Sequence, residues 1–434
     1  MRPYVPLGLL YISAYLEERG MAHEVFDSTF SGLQELKEEL LIKKPSLVGI
    51  YTNLMTKLNV LKIVSFIKSE PSLRKCSVVL GGPEIRYNAA RYLQHGADLL
   101  VVGEGEVTFF EVSSRLLSDG ELPADVDGTA FISNGEVKFT RERELIKDMN
   151  SLPMPARKKI NLSLYGQAWK KHHGYSMYSM STMRGCPYTC KWCSRAVYGG
   201  TYRRRSPRLV VDEMELLRCD YNPDRIWFVD DVFTINHKWL REFTQEVVSR
   251  DVVIPFEIIT RADRMNDEVI GLLKQAGCFR VWIGAESGSQ KIIDAMNRRV
   301  EVAMVREMII KTRAAGMEAG TFIMLGYPGE KRSDISQTIR HLQQSNPTFY
   351  TITIAYPITG TPLYDEVEST LTGNSWETIT DREYDFARTR SKKYYTHALS
   401  WVAHEVSFSK SRHPLQKVKS KARSLWAQAL MLIS

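Results

Sequence analysis

Met183 to Arg195 reads MRGCPYTCKWCSR. Cys186, Cys190 and Cys193 fall close together in it, spaced Cys-x3-Cys-x2-Cys. A structural zinc site wants four ligands, usually as two close pairs. Here one trio stands without a second pair at that spacing; His172 and His173 precede it on what reads as connecting chain. Bacterial ferredoxin loops use four cysteines per cluster, with shorter gaps and a following proline. The option left is a four-iron cluster held by three thiolates, whose remaining iron has no protein ligand and is open to a small molecule. Structural zinc, or a non-catalytic iron–sulfur module, stays as the bland alternative.

The stretch follows a strand pattern. Tyr175 to Thr182, Arg225 to Asp230, Phe256 to Thr260, Arg280 to Ala285, Thr321 to Leu325 and Phe349 to Ala355 read as strands, short apolar runs typical of buried parallel pairing. Helical spacing lies between them at Leu209–Leu217, Lys238–Ser249, Asp267–Gln275, Gln290–Gly316 (with a break) and Asp334–Gln344. That alternation predicts a partial (β/α)6 barrel over 175–362, with its chemistry at the carboxyl ends of the strands. The cysteine loop opens on that face.

Residues 1–147 alternate as well. Leu7–Arg19, Leu33–Lys43 and Asn59–Ser69 have helical spacing; His23–Asp27, Ser46–Tyr51, Ser77–Leu80 and Asp98–Val102 read as strands. The last two run into Gly81-Gly82-Pro83 and Gly103-Glu104-Gly105-Glu106. A doubly wound α/β domain follows, with ligands beyond its strand ends. Glycines there let a backbone approach a ligand closely, and tight turns alone would also explain them. Residues 148–174, with two prolines and no long period, read as a linker.

The chain has 434 residues, 44% hydrophobic and 25% charged. That suits two or three ordinary domains. No apolar run approaches the roughly 20 residues of a membrane span, and Met1–Gly20 lacks a signal-peptide core, so a cytoplasmic protein is expected. Cys76, Cys219 and Cys278 stand singly and read as buried thiols. The net charge of +8 is concentrated at Arg203-Arg204-Arg205 and in Lys410–Arg423, KSRHPLQKVKSKAR. Such a tail meets nucleic acid, an anionic membrane surface or an acidic partner, or is simply solvated.

Cys186-x3-Cys190-x-Trp192-Cys193 resembles the signature of radical S-adenosylmethionine (SAM) enzymes, in which an aromatic residue precedes the third cysteine. The resemblance implies a 4Fe-4S cluster whose open iron is chelated by SAM, and reductive cleavage of SAM to a 5'-deoxyadenosyl radical. It also implies SAM contacts at the other strand ends. Asp230 or Asp231 stands where the family often has Gly-Gly-Glu for the methionine amino group. Arg261 would pair with the SAM carboxylate. Glu286, with Ser287, occupies the ribose-contacting strand, and Gly326 lies on the adenine-side segment.

The order of an α/β domain, a linker with Leu152-Pro153-Met154-Pro155, and the barrel resembles the cobalamin-binding radical SAM subfamily. Gly81, Gly82, Gly103 and Gly105 look like its cobalamin-side landmarks. The resemblance implies methyl transfer to an unactivated carbon of a small-molecule, lipid-like or porphyrin-like substrate, with radical oxidative cyclisation as the alternative. Two departures bear on cobalamin. The sequence reads from the first helix, whereas the subfamily usually starts with a strand and its loop, so an exposed sheet edge and a missing wall of the site are expected. No Asp-x-His-x-x-Gly segment offers a lower ligand. A radical SAM enzyme without functional cobalamin therefore stays open. An RNA methylthiotransferase would need a second cysteine cluster in the first domain, which has only Cys76; nucleic acid is not expected. A one-electron donor such as flavodoxin or ferredoxin is implied as a partner.

The extension 363–434 holds a charged aromatic segment, Glu377–Tyr395, expected to cover the barrel's open edge. Leu415–Ile433 predicts a basic helix with Leu415, Val418, Leu425, Trp426, Leu430 and Leu432 along it. Packing against the protein's own core and peripheral contact with anionic lipid are the two readings of that face.

Overall fold

The structure, a computed structural model, describes residues 3–434. In the first domain β1 (Leu47–Tyr51), β2 (Ser77–Gly81) and β3 (Leu99–Val101) pair in parallel. Side chains alternate across a strand, so Val78, Leu80 and Leu100 face one way and Val79, Leu99 and Val101 the other. Helices α1 (Leu7–Glu18), α2 (Leu33–Lys43), α3 (Lys57–Ser69), α4 (Ile85–Gln94) and α5 (Gly105–Asp119) belong to this domain. The first strand face packs on α3 and α4, through Val64, Ile67 and Tyr92. The second packs on α5 through Val112.

A hairpin, β4 (Thr129–Ser133) and β5 (Glu136–Phe139), extends the sheet antiparallel beyond β3. Its two-residue turn is Asn134-Gly135, both at positive φ, the pairing that suits a twisted hairpin. The strand expected at His23–Asp27 is not formed; that segment is irregular, and the Asp27 carboxylate accepts the Tyr165 hydroxyl at 2.7 Å. β1 is therefore left at the sheet edge with Tyr51 exposed.

The segment 148–174 carries a helix, α6 (Leu162–His173), which packs on β6 (Met177–Met180). Beyond β6 a small antiparallel ribbon forms from β7 (Met183–Arg184) and β8 (Arg203–Arg204). The large sheet continues through β9 (Arg225–Phe228), β10 (Phe256–Thr260), β11 (Cys278–Glu286), β12 (Glu318–Leu325) and β13 (Phe349–Ile354). All six of its strands are parallel, in the order β13-β12-β11-β10-β9-β6. This is the open (β/α)6 barrel. Its helices are α7 (Pro207–Tyr221), α8 (His237–Ser249), α9 (Asp267–Gln275), α10 (Gln290–Ala295), α11 (Val302–Ala314) and α12 (Arg332–Ser345).

The extension adds α13 (Pro362–Val367), α14 (Lys392–Lys410) and α15 (Pro414–Leu432). Trp376 inserts into the first domain's core beside Tyr92, Arg388 donates to the Ala355 carbonyl at 2.7 Å, and α14 lies along α12 and β13. The extension thus covers the β13 edge. No helix of the described residues is long and apolar enough to cross a membrane. Cys76 and Cys278 are buried, whereas Cys219 is exposed on α7, against expectation; it falls on the outward face of that helix, whose inward face carries Val211, Met214 and Leu217.

The three arginines of 203–205 are not a surface patch. Each is buried or nearly so on a separate carboxylate: Arg203 on Glu104, Arg204 on Asp230, Arg205 on Glu213. Glu213 also accepts from Arg157 at 2.6 Å, so one carboxylate fastens the connecting segment and the ribbon to α7. Removing one partner of a buried pair leaves the other charge uncompensated. Glu213→Ala should destabilise the protein by roughly 3–5 kcal/mol, read as a lower urea midpoint, and an unchanged midpoint would contradict that role.

Candidate active site

The cysteine loop, 185–202, leaves and re-enters the fold through the β7–β8 ribbon. Gly185 has φ of 84°, and a Cβ there would stand 2.3 Å from the Thr201 carbonyl oxygen. Only glycine fits at the pinch. Arg184, one residue before it, is buried and donates to Glu104 Oε1 at 2.8 Å and to both oxygens of Glu106. Arg203, across the ribbon, donates to Glu104 Oε2 at 2.7 Å, and the Ile146 N–H adds a bond to the same oxygen at 2.8 Å. Tyr11 and Tyr198 lie on the Arg184 guanidinium. The base of the cysteine loop is therefore clamped to the strand-end loop of the first domain by a buried ion-pair cluster.

Within the loop the three thiols lie close enough to repel one another as thiolates. No three potential ligands among the described residues converge on a single-ion site. Burial raises the Cys186 thiol, so binding a metal group would release its proton. Three hydrogen bonds to its backbone help to hold the loop. The Lys191 N–H donates to the Met296 carbonyl at 3.1 Å, Asn297 Nδ2 donates to the Thr189 carbonyl at 3.0 Å, and the Leu363 N–H donates to the Lys191 carbonyl at 2.9 Å. Two of these come from the break between α10 and α11, at 296–299. The same break supplies Arg298, which the sequence reading missed. Its Nη1 lies 3.9 Å from Cys190 Sγ, its Nη2 donates to the Gly284 carbonyl at 2.8 Å, and its guanidinium lies 5.8 Å from the centre of the Trp192 ring.

The predicted SAM residues separate into two groups. Asp230 is buried and fully engaged, accepting the Thr182 and Met183 N–H groups at 2.7 and 3.2 Å, the Thr182 hydroxyl and Arg204. It fixes the end of β6 and has no lone pair directed at a ligand. Asp231 has no internal hydrogen bond or ion pair among the described residues and lines the cavity beside Cys186. Partial burial, then the Asp230 charge, raise its carboxyl above the usual range. Glu286 adopts φ of 62° at a register shift between β11 and β12. A left-handed glutamate in a strand is strained, and strain of this kind concentrates at functional sites. Burial raises its pKa against the opposing pull of Arg298, 3.6 Å away.

Three other residues expected to contact SAM have partners within the protein. Arg261 does not present a free two-pronged fork to a carboxylate. Its Nε donates to Asp263 at 2.8 Å, its Nη2 to the Arg298 carbonyl at 2.7 Å, and its Nη1 lies 3.8 Å from Cys190 Sγ. Ser287 is buried with its hydroxyl accepting from the Ser289 N–H and 3.3 Å from Thr338 Oγ1. The Gly326 N–H is given to Glu330 at 2.6 Å, and a Cβ at Gly326 would meet the Tyr395 ring at 3.2 Å. These two are packed under α12 and α14.

One cavity of about 1190 Å³ joins the two domains. Small-molecule sites usually occupy about 300–1,000 Å³. Gly81, Gly82, Gly103 and Gly105 line one side, and Met183, Cys186 and Asp231 the other. The four glycines differ in kind. A Cβ at Gly82 would meet the Thr52 carbonyl oxygen at 2.2 Å, and one at Gly105 would meet Ile12 Cδ1 at 2.8 Å. Backbone turning and helix packing require those two. Gly103 has φ of 99°, and a Cβ there would find nothing nearer than 4.0 Å, in open cavity. Gly81 likewise has ordinary clearance. An open wall of small residues, in a space larger than most small-molecule sites, fits a corrin-sized group.

A half-barrel with three loop thiols at its first strand end, joined through one cavity to a glycine-walled α/β domain, defines a radical SAM enzyme with a second cofactor domain. Comparison agrees with both halves. The Radical SAM superfamily matches residues 180–342 and the B12 binding domain residues 3–113. The chain thus carries a radical SAM domain and a B12 binding domain; the first implies a 4Fe-4S cluster and SAM as cofactors, and the second supports cobalamin. It is 28% identical to an uncharacterized methyltransferase of Pyrococcus horikoshii, over 83% of this chain and 78% of that one. It is 27% identical to an anaerobic magnesium-protoporphyrin IX monomethyl ester cyclase of Cereibacter sphaeroides, over 67% of this chain and 48% of that one. The solved cobalamin-dependent SAM radical enzyme OxsB superposes on 99% of this chain and 69% of its own with a TM-score of 0.76, at 15% identity, a likeness of fold.

Arg261 and Arg298 both direct an N–H at the Cys190 sulfur. Hydrogen bonds to cluster sulfurs raise a reduction potential. Arg298→Met should lower the midpoint potential of the reconstituted cluster, on the order of 60 mV for each tenfold loss of preference for the reduced state. Redox titration followed by paramagnetic resonance reads it, and an unchanged potential would remove Arg298 from this role.

Proposed function

We propose that the protein is a cobalamin-dependent methyltransferase acting at an unactivated carbon of a small organic molecule of lipid-like or porphyrin-like character. The observation that supports this reading is the shared cavity, in which the glycine loops of the first domain and the cysteine loop of the barrel line one space. When bound, the cluster with SAM supplies a radical that takes hydrogen from carbon, and cobalamin supplies a methyl group.

The chain's own residues bind, orient and exclude water. Cys186, Cys190 and Cys193 would hold the cluster, and Trp192 braces the loop against the barrel core. Asp231, free of internal partners, would accept from the SAM amino group. Glu286 would accept from the ribose hydroxyls, its raised pKa falling once donors replace lost water. Gly81 and Gly103 would let the corrin approach the backbone. The apolar side chains of Val79, Val101 and Met183 in the cavity wall keep it dry. A one-electron donor such as flavodoxin or ferredoxin would reduce the cluster. The cyclase among the relatives favours one second reading, oxidative ring closure in the same cavity.

Paramagnetic resonance on the anaerobically reconstituted, dithionite-reduced protein tests the reading. A four-iron signal should appear, change on adding SAM, and be lost in Cys190→Ala. Asp231→Asn should weaken the SAM-dependent change about tenfold in SAM concentration, the loss of one charge-assisted contact. A signal indifferent to SAM would sink the proposal. Incubation with methyl-labelled SAM and candidate acceptors then separates methyl gain from loss of hydrogen.

A further inference from the structure

The helix α15 is folded the wrong way round for a helix serving only its own core. Its buried residues are Ser420, Ser424, Ala427 and Met431. This narrow, mostly small-residue face lies on α14. It is fastened by Lys421 to Glu405 at 2.8 Å, Ser424 to Glu405 at 2.5 Å, and Arg332 of α12 to Gln428 at 2.6 Å. The orientation is therefore fixed by polar bonds on one side. The large apolar residues point away: Leu415, Val418, Leu425, Trp426, Leu432 and Ile433 are all exposed, Trp426 at 67% and Ile433 at 80%. At 100° per residue they share one stripe with Ala422 and Ala429. A continuous exposed apolar stripe of this kind marks an interaction surface.

What flanks the stripe selects the occupant. Lys419 and Arg423 fall on one shoulder and Lys417 and Lys421 on the other. Residues 406–434 contain no Asp or Glu. Among the described residues only Lys421 of these four is ion-paired. Two such helices brought face to face would set lysines against lysines, which disfavours a second copy. Anionic headgroups complement both shoulders while acyl chains take the stripe, with Trp426 at the depth where an amphipathic ring is favoured.

We propose that α15 is a peripheral membrane-binding element, lying in the headgroup plane of an anionic leaflet with Leu425 and Trp426 inserted. This holds whatever reaction the barrel performs.

Co-sedimentation of the full-length protein with vesicles tests it, comparing phosphatidylcholine alone with phosphatidylcholine containing phosphatidylglycerol. The protein should pellet with the anionic vesicles and release as salt rises. The double variant Leu425→Gln/Trp426→Gln should lower the bound fraction about tenfold or more. Lys417→Gln/Lys419→Gln/Arg423→Gln should weaken binding most at low salt. All these positions are exposed, so unchanged circular dichroism and melting show that the fold persists. Absence of pelleting on anionic vesicles would overturn the proposal, as would equal pelleting of both variants. A concentration-dependent dimer lost in Leu425→Gln/Trp426→Gln, without vesicle binding, would also overturn it and assign the face to a second copy.

Discussion

The buried clamp of Arg184 between Glu104 and Glu106 is the interaction on which the arrangement rests. Its carboxylates belong to the loop after β3 and the first turn of α5, and its guanidinium sits one residue before the glycine that opens the cysteine loop. Arg203 closes the other side of the same loop onto Glu104. Buried charges are costly unless fully paired. Here every partner is present only when the two domains meet in one register. The cluster trades stability for specificity of docking, and it fixes where the cavity between the domains lies.

From the clamp outward, each element has a physical reason. The ribbon pinches the loop, Gly185 permits the pinch, and Asp230 holds the end of β6 with Arg204. The break after α10 closes over the loop and delivers Arg298 to Cys190. Asp231 is then the carboxylate at the cavity without an internal partner among the described residues, and Glu286, buried at the end of β11, has Arg298 3.6 Å away. Of the two basic runs, the arginines at 203–205 are internal, whereas Lys417, Lys419 and Arg423 of α15 are exposed.

Much of the barrel was legible because short apolar runs between helical periods are what a buried parallel sheet requires. The three cysteines were legible because few sites use three thiolates at that spacing. What escaped did so for specific reasons. The hairpin at 129–139 carried its signal in Asn134-Gly135, but its strands are short and half polar. Val25 and Phe26 suggested a strand, but a strand needs a neighbour, and none pairs there. Arg298 lies in the interruption of a helical pattern, where sequence marks a break and not what the break touches. Ser287 and Gly326 sit at strand ends as expected; which side of the end faces ligand depends on α12 and α14, distant in the chain. The stripe of α15 was visible, whereas the choice of the small-residue face for packing depended on Glu405 and Arg332.

The clamp makes one cavity serve both cofactor domains. Pulsed paramagnetic resonance on protein loaded with cob(II)alamin and a reduced cluster measures it directly, through the magnetic coupling between the two centres. The native protein should show a resolved coupling that broadens or collapses in Arg184→Met, with each cofactor still bound. Two uncoupled signals in the native protein, or a coupling indifferent to Arg184→Met, would contradict it.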